Sequence, residues 1–416
     1  MQDIFALEVI RAIRQFPNPK NLARQRPSVK SLFLPADLRP IRALMPEFTA
    51  LNMSVHHAST LTYTSARSFL NRSERMFDGF SYGLYGTPTG RALEKQLAVI
   101  EGGEFSLLVP SGLAAVTHPM LALLKQGDHV LLADCVYGPT RELCTSLLAQ
   151  YGITHTFFPA DAATIEPWLT PSTRLVVLES PGSYTMEIQD ISVISAQAHK
   201  NGSLVLMDNA WGFGQINCFE HGVDIVSTAL SKYASGHSDV CMGVCTVKDR
   251  KLFERLKTAF MALGTGVAAS DAYLVLRGLQ TLPVRLAEHA RRGYHIAKWL
   301  IGVEAVEQVF FPALESDSQH ERFKRYFSGG NGVISLTLRE TDQARIERFV
   351  DSLKHFQIGA SWGGTQSLVA LANISASRTS VPWKQSPWIV RLHIGLEPLD
   401  QLQRDLELAL ATLSKK

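Results

Sequence analysis

Between about residues 105 and 250, short apolar runs alternate with stretches of helical spacing. The runs Ser106–Val109, His129–Ala133, Leu175–Leu178, Leu204–Met207, Ile225–Thr228 and Val240–Val247 predict strands. Gly112–Leu124 and Arg141–Gln150, lying between them, predict helices. Such alternation predicts an α/β domain around a mostly parallel sheet. Sheets of that kind bind ligands beyond the carboxyl ends of their strands. Polar or turn residues collect at those ends here: Pro110-Ser111-Gly112, Asp134, Glu179-Ser180-Pro181, Asp208-Asn209 and Ser231-Lys232. Beyond about residue 270 the pattern changes. Asp271–Ile301 reads as a long helical region interrupted near Pro283, followed by strand-like Val333–Leu338 and Ile389–Ile394. Leu399–Leu413 reads as an amphipathic closing helix, so this part predicts a smaller α+β domain.

Length and charge narrow the class. A chain of 416 residues suits a large catalytic domain and a smaller one. A net charge of +3 gives no global signal for nucleic acid. No stretch is apolar for long enough to predict a membrane span, and Met1–Arg14 lacks the features of a signal peptide. The five cysteines are odd in number and lie mostly in apolar runs, which predicts reduced thiols and a cytoplasmic protein. Cys241 and Cys245 have no matching second pair, so no metal is expected. Met1–Arg14 reads as a short amphipathic helix. The proline-containing, basic stretch from Lys20 to Arg42 reads as a solvated arm over a partner subunit, with an acidic partner as the other reading.

Four constellations carry candidate chemistry. In the first, Leu204–Met207 delivers Asp208 to a strand end, and Lys232 follows the strand Ile225–Thr228 within Ser231-Lys232-Tyr233. A lysine amine can form a Schiff base with the aldehyde of pyridoxal 5'-phosphate, and an aspartate can keep the pyridine nitrogen protonated. Either residue alone would read as a surface lysine or a cap. In the second, Val109-Pro110-Ser111-Gly112-Leu113 passes from strand to helix, where backbone N–H groups suit a phosphate. The third is Tyr137, after the strand His129–Ala133, which could stack on a flat heterocycle or simply pack in the core. The fourth is Arg391, a charge inside the apolar strand Ile389–Ile394, suited to a substrate carboxylate. His393 reads as a structural histidine.

From about Ser54 to the C-terminus the chain resembles the Cys/Met-metabolism family of pyridoxal-phosphate enzymes, and within it the bacterial cystathionine β-lyases. The resemblance rests on Tyr82-Gly83-Leu84-Tyr85-Gly86-Thr87-Pro88-Thr89, Glu101-Gly102-Gly103, Leu178-Glu179-Ser180-Pro181-Gly182-Ser183, Asp208-Asn209, Ser231-Lys232-Tyr233 with Gly236-His237-Ser238, Ser361-Trp362-Gly363-Gly364, and Arg391 to Glu397. It implies fold type I, the aspartate-aminotransferase-like fold. It implies an N-terminal arm over residues 1–86 that contacts a neighbouring subunit, a cofactor domain over 87–277 and a C-terminal domain over 278–416. Lys232 would carry the cofactor, Asp208 would pair with its ring nitrogen, and Tyr137 would stack on it. Gly112, Leu113 and Ser231 would hold the phosphate, with Tyr82 reaching the site of the neighbouring subunit. Arg391 would bind the substrate carboxylate, helped by Ser361 and Trp362. Tyr137 and Tyr82 could also assist proton transfer.

The resemblance further implies a small amino-acid substrate, no nucleic-acid or membrane partner, and a homo-oligomer, usually a tetramer. The implied reaction is β-elimination of L-cystathionine or a cysteine S-conjugate. A γ-lyase or γ-replacement enzyme and a cofactor-binding regulatory protein are the other readings. Three positions depart from the family pattern. Leu84 stands where many members have an arginine, Ala229 removes a hydroxyl, and Ala360 replaces a tyrosine common in β-lyases.

Overall fold

The computed structural model describes residues 50–413. The helix expected over Met1–Arg14 and the basic stretch from Lys20 to Arg42 lie outside them. Seven strands form the large sheet: β1 Phe105–Val109, β2 His129–Ala133, β3 Thr154–Phe158, β4 Thr173–Glu179, β5 Leu204–Asp208, β6 Ile225–Ala229 and β7 Gly243–Val247. Their spatial order is β1-β7-β6-β5-β4-β2-β3. Neighbours run parallel except around β7, which is antiparallel to both β1 and β6. The sheet is thus mostly parallel, as its alternation with helices predicts.

Central strands are covered on both faces and need apolar side chains at nearly every position. Val130, Leu131 and Leu132 of β2, Leu175 to Leu178 of β4, and Val205 to Met207 of β5 are all buried. That is why those strands could be read within a residue or two of their ends. β3 was not expected. It is an edge strand, Thr154-His155-Thr156-Phe157-Phe158, and only Phe158 is buried. The expected strand Val240–Val247 begins at Gly243. The expected helix Arg141–Gln150 is a short helix, Gly138–Leu143, running into a π turn at Cys144–Leu148.

The smaller sheet contains β8 Val306–Phe310, β9 Val333–Leu338, β10 Gln357–Ile358, β11 Leu368–Asn373 and β12 Trp388–His393, in the order β10-β11-β12-β9-β8. β9 and β12 were legible as apolar runs; β8, β10 and β11 were not. The interruption expected near Pro283 separates two helices, Ala269–Leu279 and Leu282–Leu300, with Pro283 in the first turn of the second. There its missing N–H costs nothing. The second helix bridges two cores. Leu282 and Leu286 pack with Leu93, Tyr233 and Leu276, while Ile296 and Leu300 pack with Leu336 and Leu392 of the small sheet.

Among the described residues, no helix is long and apolar enough to cross a membrane. The five cysteines are free, and only Cys241 is exposed.

Candidate active site

Strands β5 and β6 run parallel, with Asp208 opposite Ser227. Asp208 and the turn carrying Lys232 therefore reach the same edge of the sheet. Lys232 Nζ donates a 2.7 Å hydrogen bond to Ser361 Oγ, bridging 129 residues of sequence. The same ammonium lies 4.6 Å from the centre of the Trp362 ring. The Arg391 guanidinium, carried by β12, lies 4.9 Å from that ring and 4.5 Å from the ring of Tyr184. Arg391 is buried, and its Nη2 donates to the Ala360 carbonyl at 3.1 Å. Trp362 Nε1 is buried with no hydrogen-bond partner. Lys232, Ser361, Trp362 and Arg391, from three separate segments of the chain, thus form one constellation.

A glycine makes this approach possible. A Cβ on Gly363 would stand 2.6 Å from Tyr233 N and 2.7 Å from the Lys232 carbonyl carbon, and its φ is +86°. Both the close contact and the left-handed backbone exclude a larger residue. Gly363 lets the Ser361–Trp362 segment lie directly on the lysine turn.

Electrostatics set the lysine apart from an ordinary surface amine. Burial and then the nearby Arg391 push Lys232 down to about 8, against a smaller opposing effect of Asp208. Burial pushes the Asp208 carboxyl up to about 6, while the N–H of Ala210 and the charge of Lys232 hold it down. Burial is also the first cause lowering Arg391. A base titrating near neutral pH is suited to moving protons there.

The remaining predicted residues are arranged around this centre. Gly112 and Leu113 open the helix Gly112–Leu123, capped by Ser111, whose side chain accepts from Ala114 N at 3.0 Å. First-turn N–H groups have no partner within their helix and suit an anion. The turn is built without side chains in the way: a Cβ on Gly112 would meet Ala229 Cβ at 2.5 Å. Ala229 packs directly against this turn. Ser231 bonds to the Met242 carbonyl at 3.4 Å. Tyr137 is 42 % exposed at the start of the helix Gly138–Leu143. Tyr82 is exposed too, and its aromatic neighbour in the chain is Tyr85 rather than a residue of the lysine constellation.

His393 is buried, with Nε2 lying 3.2 Å from Gly363 N and 2.9 Å from Gly364 O. It braces the glycine turn, in keeping with a structural histidine.

Three residues were given no role from the sequence, although Asp134 and Glu179 stood out as polar strand ends. Tyr184 lies against Arg391 on a left-handed backbone, φ 66°, which is uncommon for an aromatic residue. Glu179 ends β4 and accepts a hydrogen bond from Tyr137 N. Asp134 binds Arg141 and the N–H and hydroxyl of Ser380, so that the β11–β12 connection is clasped to the end of β2. A cavity of about 300 Å³ next to this clasp is lined by Asp134, Glu187, Phe310, Arg378 and Trp383, and not by Lys232. Only Tyr184's place in the run after Ser183, and the strand-end positions of Glu179 and Asp134, could have flagged them.

The set of residues fits pyridoxal phosphate. It offers a partly desolvated amine, a carboxyl near its titration point, an exposed phenol ring and a glycine-made helix start. Among the described residues, no cluster of three His, Cys, Asp or Glu could hold a metal ion. Residues 41–411 match the profile of the Cys/Met metabolism PLP-dependent enzymes. The chain belongs to that family.

Relatives within this Cys/Met metabolism family are similar over most of their length. A putative cystathionine β-lyase of Rhizobium johnstonii is 40% identical over 88% of this chain and 92% of its own. The cystathionine β-lyase MetC of Escherichia coli K12 is 35% identical over 88% of this chain and 94% of its own. An L-alanine/L-glutamate racemase of Wolbachia pipientis is 34% identical over 88% and 93%. The crystal structure of metB from Corynebacterium glutamicum superposes with a TM-score of 0.80, at 26% identity, over 88% of this chain and 94% of that one. The chain therefore has the fold expected, and the family's cofactor is pyridoxal phosphate.

Proposed function

We propose that this enzyme is a carbon–sulfur lyase that carries out β-elimination on L-cystathionine or a cysteine S-conjugate, releasing a thiol, pyruvate and ammonia. The observation that carries the proposal is the meeting of Lys232, Ser361, Trp362 and Arg391 around one indole ring. The relatives named as cystathionine β-lyases support the choice of reaction.

The residues divide the work as follows. Lys232 would hold the cofactor, Asp208 would sit at its ring nitrogen and Tyr137 on its face, with Gly112, Leu113 and Ser231 at the phosphate. When bound, pyridoxal phosphate supplies a carbonyl for the substrate amine and a ring that accepts the electron pair left at Cα. Arg391 offers guanidinium N–H groups to the substrate α-carboxylate, and the unpartnered Trp362 N–H and Ser361 stand beside it. Lys232, lowered to about 8, takes the Cα proton as a neutral amine. The Cα pair forms a double bond to Cβ, the Cβ–S bond breaks, and sulfur leaves with the bond's electrons and a proton. Lys232 or Tyr137 returns that proton. Water then converts the three-carbon fragment to pyruvate and ammonia. Ala360, exposed beside the Arg391 contact, leaves the distal end of the substrate unconstrained at that position.

The exposed Tyr82 belongs to the neighbouring subunit's site in this reading, so the active protein is a dimer or tetramer, and it works in the cytoplasm. An active monomer in light scattering would contradict the shared site. The reaction itself is tested by incubating the cofactor-loaded protein with L-cystathionine and identifying the products. Pyruvate with homocysteine is expected. 2-Oxobutyrate with cysteine would reassign the enzyme to γ-elimination. A D-amino acid formed from L-alanine or L-glutamate, with no thiol released from cystathionine, would reassign it to racemisation.

A further inference from the structure

The residue most exposed to chance in this site is Tyr137. The residue is 42 % exposed, so packing alone does not set the direction of its ring. It stands at the start of a six-residue helix with no side chain capping that end. One bond ties its backbone to the rest of the site: Tyr137 N–H donates to Glu179 Oε2 at 2.5 Å. Glu179 is the last residue of β4, paired in register with Asp208 at the end of β5. The Glu179 carboxyl therefore links Tyr137, in the loop after β2, to the strand pair that carries Asp208. Nearby bonds stitch the same two loops together, from Ser183 N to Cys135 O at 2.9 Å and from Cys135 Sγ to Glu179 O at 3.6 Å. Neither reaches Tyr137.

We propose that Glu179 is a positioning residue, holding the Tyr137 backbone so that its phenol ring keeps its place relative to Asp208. The proposal rests on the reading that Tyr137 stacks on the cofactor. Glu179 acts here as an acceptor, not as a charge. Burial and the adjacent Asp208 raise its carboxyl well above the usual range, against the pull of the Tyr137 N–H, Arg378 and Arg391. A glutamine, with one amide oxygen at the same reach, should replace it. An aspartate, one methylene shorter, should not.

Four variants test this: Glu179→Ala, Glu179→Asp, Glu179→Gln and Tyr137→Ala. Two readouts apply to each. The first is the visible circular dichroism of the bound cofactor together with kcat/KM. The second is amide hydrogen exchange across residues 135–141 of the cofactor-free protein. Glu179→Ala and Glu179→Asp should change the cofactor band in the direction Tyr137→Ala does, speed exchange in that segment, and lower kcat/KM about tenfold, the usual effect of losing one such bond. Glu179→Gln should restore all three toward wild type. If Glu179→Ala does not fold, Glu179→Asp carries the comparison. Unchanged exchange and dichroism in Glu179→Asp, with a clear change in Tyr137→Ala, would overturn the positioning role alone. So would a Glu179→Gln variant as impaired as Glu179→Asp, because charge would then be what matters. A Tyr137→Ala protein with the wild-type band would instead overturn the stacking on which the proposal rests.

Discussion

Two neighbouring groups of side chains on the same segments differ in how fully their polar atoms are paired. Lys232 and Arg391 lie over Trp362, while Tyr233 and His393, one residue and two residues further along the chain, pack with His289. Burial perturbs the titration of every one of them. Behind the site the polar atoms are largely paired within the protein. Tyr233 OH accepts from Gly332 N at 3.0 Å, His393 meets Gly363 and Gly364, and His289 Nδ1 lies 2.8 Å from the Ile394 carbonyl. In front, the Trp362 N–H has no partner, and Arg391 spends one bond on a carbonyl. One polar atom behind the site, His289 Nε2, is also buried without a partner, so the two groups differ in how many polar atoms are paired and not in kind.

The largest break in this comparison should come from Lys232→Ala. It removes the proposed base while leaving the apolar packing around it, so release of keto acid should fall by about a thousandfold or more. The melting temperature of the cofactor-free protein should stay near wild type, or rise, because a half-buried amine is lost. A folded variant with substantial turnover would remove Lys232 from its proposed role.

Arg391→Ala should cost about a hundredfold in kcat/KM, the range for removing one partner of a buried charge pair. Lysine should rescue little, since an ammonium lacks the planar fork that grips a carboxylate. Steady-state kinetics with L-cystathionine decide this. A lysine variant equal to wild type would mean that charge alone suffices.

The scaffold side predicts effects on stability instead. His393→Ala should lose about 1–3 kcal/mol through the unpaired backbone groups of the Gly363 turn. Chemical denaturation checks it, and kcat of whatever remains folded should fall less than in the two variants above.

The last effect is a pH dependence, read on stability alone. Burial lowers His393 to about 3 and His289 to about 4, from an unfolded value near 6.5. Between those limits the unfolded chain binds more protons than the folded one. The two histidines therefore contribute stability that is fully present above about pH 6.5 and is lost as pH falls toward their folded values. Melting curves from pH 8 to pH 5 should show this decline, with a shallower slope in His393→Gln. An unchanged slope would place the proton uptake elsewhere.

Much of this site could be read along the chain. Asp208 and Lys232 were legible because buried strands have apolar runs that stop abruptly, and the residues at the stop face the binding edge. Arg391 was legible because a charge inside such a run needs a partner. Glu179 was visible at a strand end, yet its hydrogen bond to Tyr137 spans 42 residues and leaves no local trace. Tyr184 was silent for the same reason. The edge strand β3 escaped because only one residue in five is buried, so the apolar signal never forms.

The amino-acid order by itself determined where the main core strands stop and which chemical groups stand at those stops, since both follow from the burial of consecutive side chains. Only the tertiary structure decided that Ser361 and Trp362 would meet Lys232 across 129 residues, that Gly363 would be pressed against the lysine backbone, and that β7 would run against its neighbours. Those outcomes depend on how two sheets and the helix Leu282–Leu300 pack, and packing energy is shared among residues that no short stretch of chain contains.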